Sequence, residues 1–302
     1  MKKSASVFTQ LPGFTAVAIA TAAVLFSGAQ DSRAALAIGL TGTGLIQFNT
    51  DSPGTTSSSV LFSGLGADTI VDIDYRPSDG QLYGIASSGR LYTINPATGS
   101  AAINTSVGVG ALGVVQDADF NPVANRLRVS STNNANYRLT PGSNDPTAVT
   151  TDGIFSYQAG DVNFGNTPNL RANAYTNSFA GSAVTTLYSI DSEYDTLVIH
   201  NTGPQFNSLA TVGDLNLTGL FIDFGNNVGF DILASGGLNT GYITNNNFLY
   251  EIDLGTGDLV PLGAIGGPAG GPAITSLAVI PEPASAFLSL LSLGALVLRR
   301  KR

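Results

Sequence analysis

Residues 69–104 constrain the fold of this 302-residue chain more than any other stretch. Three apolar, β-prone runs are set apart by turn chemistry: Arg-Pro-Ser-Asp-Gly at 76–80, Ser-Ser-Gly at 87–89 and Asn-Pro-Ala-Thr-Gly at 95–99. A fourth run follows at 101–107. Gly supplies positive φ, Pro presets φ, and Asn and Asp bond their own backbone, so each break reads as a tight turn between short strands. Four antiparallel strands joined in this way make one blade of a β-propeller.

Most of the chain reads as imperfect copies of this unit. A third blade begins at Val115, a fourth at Arg171 and a fifth at Val228. Tyr75 and Phe120 hold matching places forty-five residues apart, and the pattern Leu-Tyr-x-Ile-Asp/Asn recurs at 91–95, 187–191 and 249–253. An interval of this size fits one blade per repeat. Residues 36–64 give only three strand-like runs. The run at 274–280 can supply the fourth, which predicts a ring closed by pairing of the N- and C-terminal strands and so without free edges. The fold class is therefore all-β, a β-propeller of five blades, or six if residues 217–224 form a separate strand set. A β-sandwich or irregular solenoid is the competing reading. Residues 154–170, rich in Gly, Asn and Pro, read as a surface loop.

Both ends differ from the body. Lys2 and Lys3 precede an apolar run at 14–26, and small residues follow near Ala34. This is the order of a secretory signal peptide over 1–34, with cleavage after Ala34; an uncleaved anchor helix is the alternative. The propeller domain then spans 35–280. At the other end, Pro281, Glu282 and Pro283 are followed by a fifteen-residue apolar run at 284–298 and by Arg299, Arg300, Lys301 and Arg302. The run reads as a short transmembrane helix, with basic residues that stay on the cytoplasmic side. The order Pro-Glu-Pro, apolar helix, basic tail over 281–302 resembles the PEP-CTERM sorting signal of Gram-negative bacteria. That resemblance implies recognition and cleavage by an exosortase, transient anchoring in the inner membrane, and delivery to the cell surface or medium of a cell that makes extracellular polysaccharide. A plain C-terminal anchor is the alternative.

The body resembles a second family, the secreted bacterial proteins named domain of unknown function 4394. The resemblance rests on Asp-Tyr-Arg-Pro at 74–77, Gly-Gln-Leu-Tyr-Gly at 80–84, residues 89–99, Asp-Phe-Asn-Pro at 119–122, Asn-Arg-Leu-Arg-Val at 125–129, Ala-Gly-Asp at 159–161 and Ala-Tyr-Thr-Asn at 174–177. It implies a secreted propeller and carries over no catalytic residue.

Charge narrows the possible partners. Between residues 35 and 280 there are six arginines, no lysine and nineteen acids, a net of −13. Phosphate backbones would be repelled, so nucleic acid is not an expected partner. The chain has no cysteine, hence no disulfide and no thiolate. Without lysine in the body, a P-loop and a Schiff-base lysine are excluded. His200 is the only histidine, and no Gly-x-Ser-x-Gly elbow occurs. No cofactor is expected unless carboxylates hold Ca²⁺.

Those carboxylates are Asp72, Asp74, Asp117 and Asp119. Period-two alternation puts each pair on one side of the first strand of its blade. Inner strands line a propeller's channel, so the four acids are the candidate metal ligands. The competing reading pairs Asp117 and Asp119 with Arg126 and Arg128 across the sheet, and leaves Asp72 and Asp74 bonded to Gln81, Tyr83 or backbone. Asp191-Ser-Glu-Tyr-Asp195 begins like an EF-hand loop but lacks its glycine and its final Glu, and reads as a polar hairpin turn.

The expectation is an exported, non-enzymatic propeller that binds or builds an extracellular polysaccharide matrix, with polysaccharide or surface proteins as partners. The alternative is a Ca²⁺-dependent hydrolase or lyase using the axial acids.

Overall fold

The computed structural model describes residues 35–280 apart from 204, 218, 268 and 269. The expected signal peptide with its cleavage after Ala34, and the expected sorting segment 281–302, lie outside the described residues.

Strands come in groups of four because each turn segment is only long enough to reverse the chain. After β1 (Leu36–Leu40), β2 (Gly44–Asn49) and β3 (Thr56–Leu61), blade two is β4 (Ile70–Tyr75), β5 (Leu82–Ala86), β6 (Leu91–Ile94) and β7 (Ala101–Thr105). Blade three is β8 (Val115–Asn121), β9 (Arg126–Ser131), β10 (Ala135–Leu139) and β11 (Val149–Ile154). A short β12 (Ser156–Tyr157) precedes blade four, which is β13 (Leu170–Tyr175), β14 (Leu187–Asp191), β15 (Thr196–His200) and β16 (Ser208–Asp214). A small hairpin, β17 (Asn216–Leu217) and β18 (Leu220–Phe221), leads to blade five: β19 (Val228–Ser235), β20 (Leu238–Asn245), β21 (Phe248–Ile252) and β22 (Leu259–Ala264). The last strand, β23 (Ser276–Ile280), completes blade one.

The count is five. The segment that would have made a sixth blade forms only the β17–β18 hairpin, two residues a strand. Closure is as expected: β23 pairs antiparallel with β1 from Leu36 opposite Ile280 to Leu40 opposite Ser276. The innermost strand of blade one thus comes from the C-terminal end of the domain.

Burial follows position in the blade. The innermost β19 is buried over seven of its eight residues, whereas the outermost β3 has no fully buried residue. Inner strands touch the axis and both neighbouring blades; outer strands face water. The apolar core accordingly lies in slabs between blades. Ile38, Ile73 and Tyr92 belong to the slab between blades one and two, and Phe230 and Ile243 to that between blades four and five.

Residues 154–170 depart from the expected surface loop. Phe155 and Tyr157 are buried, and β12 adds a fifth, parallel strand to the outer edge of β16. The aromatic residues anchor this first part; Val162 and Phe164 further on are exposed. Asp191-Ser-Glu-Tyr-Asp195 is the hairpin turn between β14 and β15, as read, with Asp195 at φ 49°.

Candidate functional site: the axial carboxylates

The inner strands β23, β4, β8, β13 and β19 surround the axis, and each has one ladder edge with no strand beside it. Unpaired N–H groups on that buried edge would each cost free energy. Acidic and hydroxyl side chains of the preceding blade take them up. Asp72 Oδ2 accepts from the backbone N–H of Ala118 at 3.0 Å, and Asp74 Oδ2 from that of Phe120 at 2.7 Å. Asp119 Oδ1 accepts from Tyr175 N at 3.2 Å, Asp231 Oδ2 from Val279 N at 2.6 Å, and Ser276 Oγ from Ile73 N at 3.0 Å. The bonds align Asp74, Asp119, Ala174, Asp231 and Ala278 as one ring, and Asp72, Asp117, Ala172, Gly229 and Ser276 as the next. Asp231 also turns Oδ1 onto its own neighbour Ile232 N at 2.6 Å, the amide that Ala174 of the preceding blade cannot serve.

All four predicted acids therefore converge, and Asp231 joins them. Carboxylate oxygens of Asp74, Asp119 and Asp231 lie within 4.8 Å of one another, and all three residues are buried. Asp231 was legible in outline: it precedes Ile232 as Asp74 precedes Tyr75 and Asp119 precedes Phe120. Its strand, however, carries one acid where the others carry two, which hides the match.

Burial dominates the electrostatics. It pushes Asp72 up to about 7 and Asp231 to about 6, against hydrogen bonds that pull the other way. Asp74, Asp117 and Asp119 are held well above the ordinary carboxylate range by burial first and then by their acidic neighbours. Five acids this close cannot all be ionised without a counter-charge. Protons or a cation must supply it. Asp117 Oδ2 is buried with no hydrogen-bond partner, an oxygen that either would satisfy.

The expected cross-strand ion pairs are replaced by other partners. Arg128 sits opposite Asp119 in register, but its Nη1 pairs with Asp152 at 3.1 Å and its Nε donates to the Tyr175 hydroxyl at 2.7 Å. Arg138 closes on the same Asp152 with two bonds, of 2.6 and 2.7 Å. Arg126 donates to the carbonyls of Arg138 and Ala148. A carboxylate on β11 reaches both guanidinium groups, and the axial acids already face backbone N–H groups. Tyr83 likewise bonds Asp79 rather than Asp72 or Asp74.

His200 lies buried on β15. Its Nδ1 faces the Phe206 carbonyl at 2.6 Å, which can only accept, so Nδ1 carries the proton; Nε2 lies 2.6 Å from Ser189 Oγ, which also bonds Asn173 Oδ1. Burial pushes its pKa down to about 3. Ser189 and His200 resemble a nucleophile and its base, but both are sealed from solvent.

The axis opens at one end. A cavity of about 280 Å³ lies where the inner strands finish, lined by Arg76 and Gly80, by Ser178 and Phe179, and by Val279, with Asp74 and Asp231 reaching it. A further space of about 10 Å³ lies between blades two and three, lined by Asp72, Asp74, Tyr83 and Phe120. The site can hold protons or one oxygen-liganded cation at its floor and a small molecule at its mouth.

A family model described as Domain of unknown function (DUF4394) matches residues 44–278. The chain belongs to this family. The family description assigns no activity, and no curated protein matches the chain. Solved structures of similar outline include a nidogen/laminin complex, at 12% identity and TM-score 0.49 over 81% of this chain and 97% of that one. Others are Myxococcus xanthus glutaminyl cyclase, at 12% and 0.38 over 72% and 73%, and an auxiliary nutrient binding protein from Bacteroides thetaiotaomicron, at 13% and 0.44 over 80% and 64%. At these levels the likeness carries nothing over to this chain.

Proposed function

We propose that this DUF4394 propeller is exported and acts at the cell surface as a binding or structural module of the extracellular polysaccharide matrix, without catalysing a reaction. Exosortase-type processing of the segment 281–302 would release it from the inner membrane. The observation that carries this reading is the pair of terminal segments around a lysine-free body of net charge −13. The axial geometry agrees with it, because the acids are engaged in holding blade to blade. The test is fractionation of the native cell with an antibody to the propeller. A processed body in the matrix or medium is expected; an unprocessed chain retained inside the cell would sink the proposal.

A second reading is favoured by one observation, the convergence of Asp74, Asp119 and Asp231 beneath an open cavity. These oxygens suit a hard cation such as Ca²⁺. Bound there, the ion would supply Lewis acidity for hydrolysis or elimination on an extracellular polysaccharide. Isothermal titration of the chelator-treated chain with Ca²⁺ tests it, and absence of binding at millimolar Ca²⁺ rules it out.

A further inference from the structure

The junction of blades three and four differs from the others. Where the remaining junctions are filled by apolar side chains, this one buries two hydrogen-bonded clusters, Arg128 with Asn136 and Asp152, and Asn173 with Ser130, Ser189 and His200. Networks of this kind give little stability over apolar packing but fix one geometry. Above it, on the face where the inner strands begin, lies an open groove of about 630 Å³. It is on the opposite face from the axial cavity, since Gln116 and Asn169 precede the axial residues of β8 and β13.

We infer that this groove binds a neutral polysaccharide chain; the inference rests on the matrix reading and names its binding surface. Its volume falls within the ~300–1,000 Å³ typical of ligand sites. Its walls carry the side-chain amides of Gln116, Asn133, Asn134 and Asn166, which make no hydrogen bond to the protein among the described residues. Each amide offers two donors and an acceptor, the complement of a sugar hydroxyl, which also does both. Tyr194 adds an aromatic wall, held edge-on against Tyr157 with ring centroids 6.2 Å apart, against which the apolar face of a sugar ring can lie. Glu193 is the only charged residue lining the groove. With no cation there, a uronate or phosphate chain would gain no counter-charge and would meet the acidic body. An extended peptide would find neither a free strand edge nor an apolar anchor pocket in this lining.

The walls are already set in place. Asn133 and Asn134 hold left-handed backbone at φ 64° and 59°, and the Asn134 carbonyl accepts from Phe155 N at 2.9 Å. The loop bearing Asn166 is tied to β16 by the Asp161 carboxylate, which accepts from Thr211 N at 2.6 Å and Thr211 Oγ1 at 2.9 Å. Asn169 Nδ2 donates to Ser192 Oγ at 3.1 Å. A rigid lining lowers the ordering cost of binding.

The test uses the purified full chain on immobilised tetra- to hexasaccharides of glucose, galactose and mannose, with oligouronates and a peptide library alongside. Binding to at least one neutral series and none to oligouronates is expected. The variant N133G/N166A/Y194A, which keeps positive φ available at 133, should lose at least about tenfold in affinity, as for two or more lost contacts. Its melting temperature should fall by no more than a few degrees, because Tyr194 gives up its edge contact with Tyr157, and Y194F, which keeps the ring, should still bind. No neutral binding, undiminished binding by the folded triple variant, or preference for peptides overturns the inference. Retention of the wild-type chain in the native matrix is scored separately. Retention without neutral binding removes the groove and leaves the matrix role; loss of retention removes the matrix role whatever the array reads.

Discussion

Asp72→Asn should make the protein less sensitive to rising pH. Asp72 carries its proton from an ordinary value of 3.8 to about 7 in the folded chain. A folded pKa above the unfolded one means that the native state binds more protons between those values. The stabilisation is therefore complete below about pH 4 and lost as pH rises through 7. At ~1.4 kcal/mol per pH unit the whole effect is about 4 kcal/mol, of which about 3 kcal/mol remains at pH 5 and almost none at pH 8. His200 works in the opposite direction. Its folded value near 3 lies below the usual 6.5, so it costs stability as pH falls through that range, about 2 kcal/mol at pH 5. A raw pH profile mixes the two. Comparing Asp72→Asn with the wild type at each pH cancels His200 and leaves Asp72 together with the acids it repels. Asn keeps an oxygen to accept from Ala118 N, so the link from blade two to blade three persists. Urea unfolding at pH 5 and pH 8 in chelator should show the variant gaining about 3 kcal/mol on the wild type between the two. Relief of repulsion on Asp117 at pH 8 adds in the same direction. A gap that stays constant, or moves the other way, would mean that Asp72 is ionised in the native state and would refute the reasoning.

Three further perturbations probe other parts of the structure. If the ring of Asp74, Asp119 and Asp231 takes Ca²⁺, calcium at a hundred times its Kd should add about 2.7 kcal/mol, several degrees in Tm, and Asp231→Asn should abolish the rise; equal Tm in calcium and chelator would remove the cation. Asp152→Ala leaves buried Arg128 without that counter-ion and should destabilise by about 3–5 kcal/mol in the same urea assay; a loss under about 1 kcal/mol would show that the network does not hold the junction. Gly229→Ala places a Cβ 2.7 Å from Leu277 N and 2.8 Å from the Ser276 carbonyl carbon, where blade five meets the closing strand. It should cost at least about 1–3 kcal/mol, read as a lower denaturant midpoint, and a neutral result would mean that the ring closes more loosely than the structure has it.

Local chemistry in the sequence determined the strands, their turns and the count of four per blade. Arg76-Pro77 through Gly80 can only turn, and the Leu-Tyr-x-Ile runs can only pair. Ring closure was legible too, because residues 36–64 lacked one strand and residues 274–280 had no other partner. The alternation of Asp72 with Asp74, and of Asp117 with Asp119, put each pair on one side of its strand. What the sequence left open was what those sides would meet. Period-two patterning gives the face of a side chain but not the element packed on it. Arg128 stands opposite Asp119 in register yet reaches Asp152, because β11 folds back within its range. Asp231 lies over a hundred residues from Asp119 and meets it only because five inner strands close on one axis. The groove between blades three and four has the same origin. Asn133, Asn166 and Tyr194 come from three separate turns, and no spacing along the chain announces that the packing of two blades sets them around one opening.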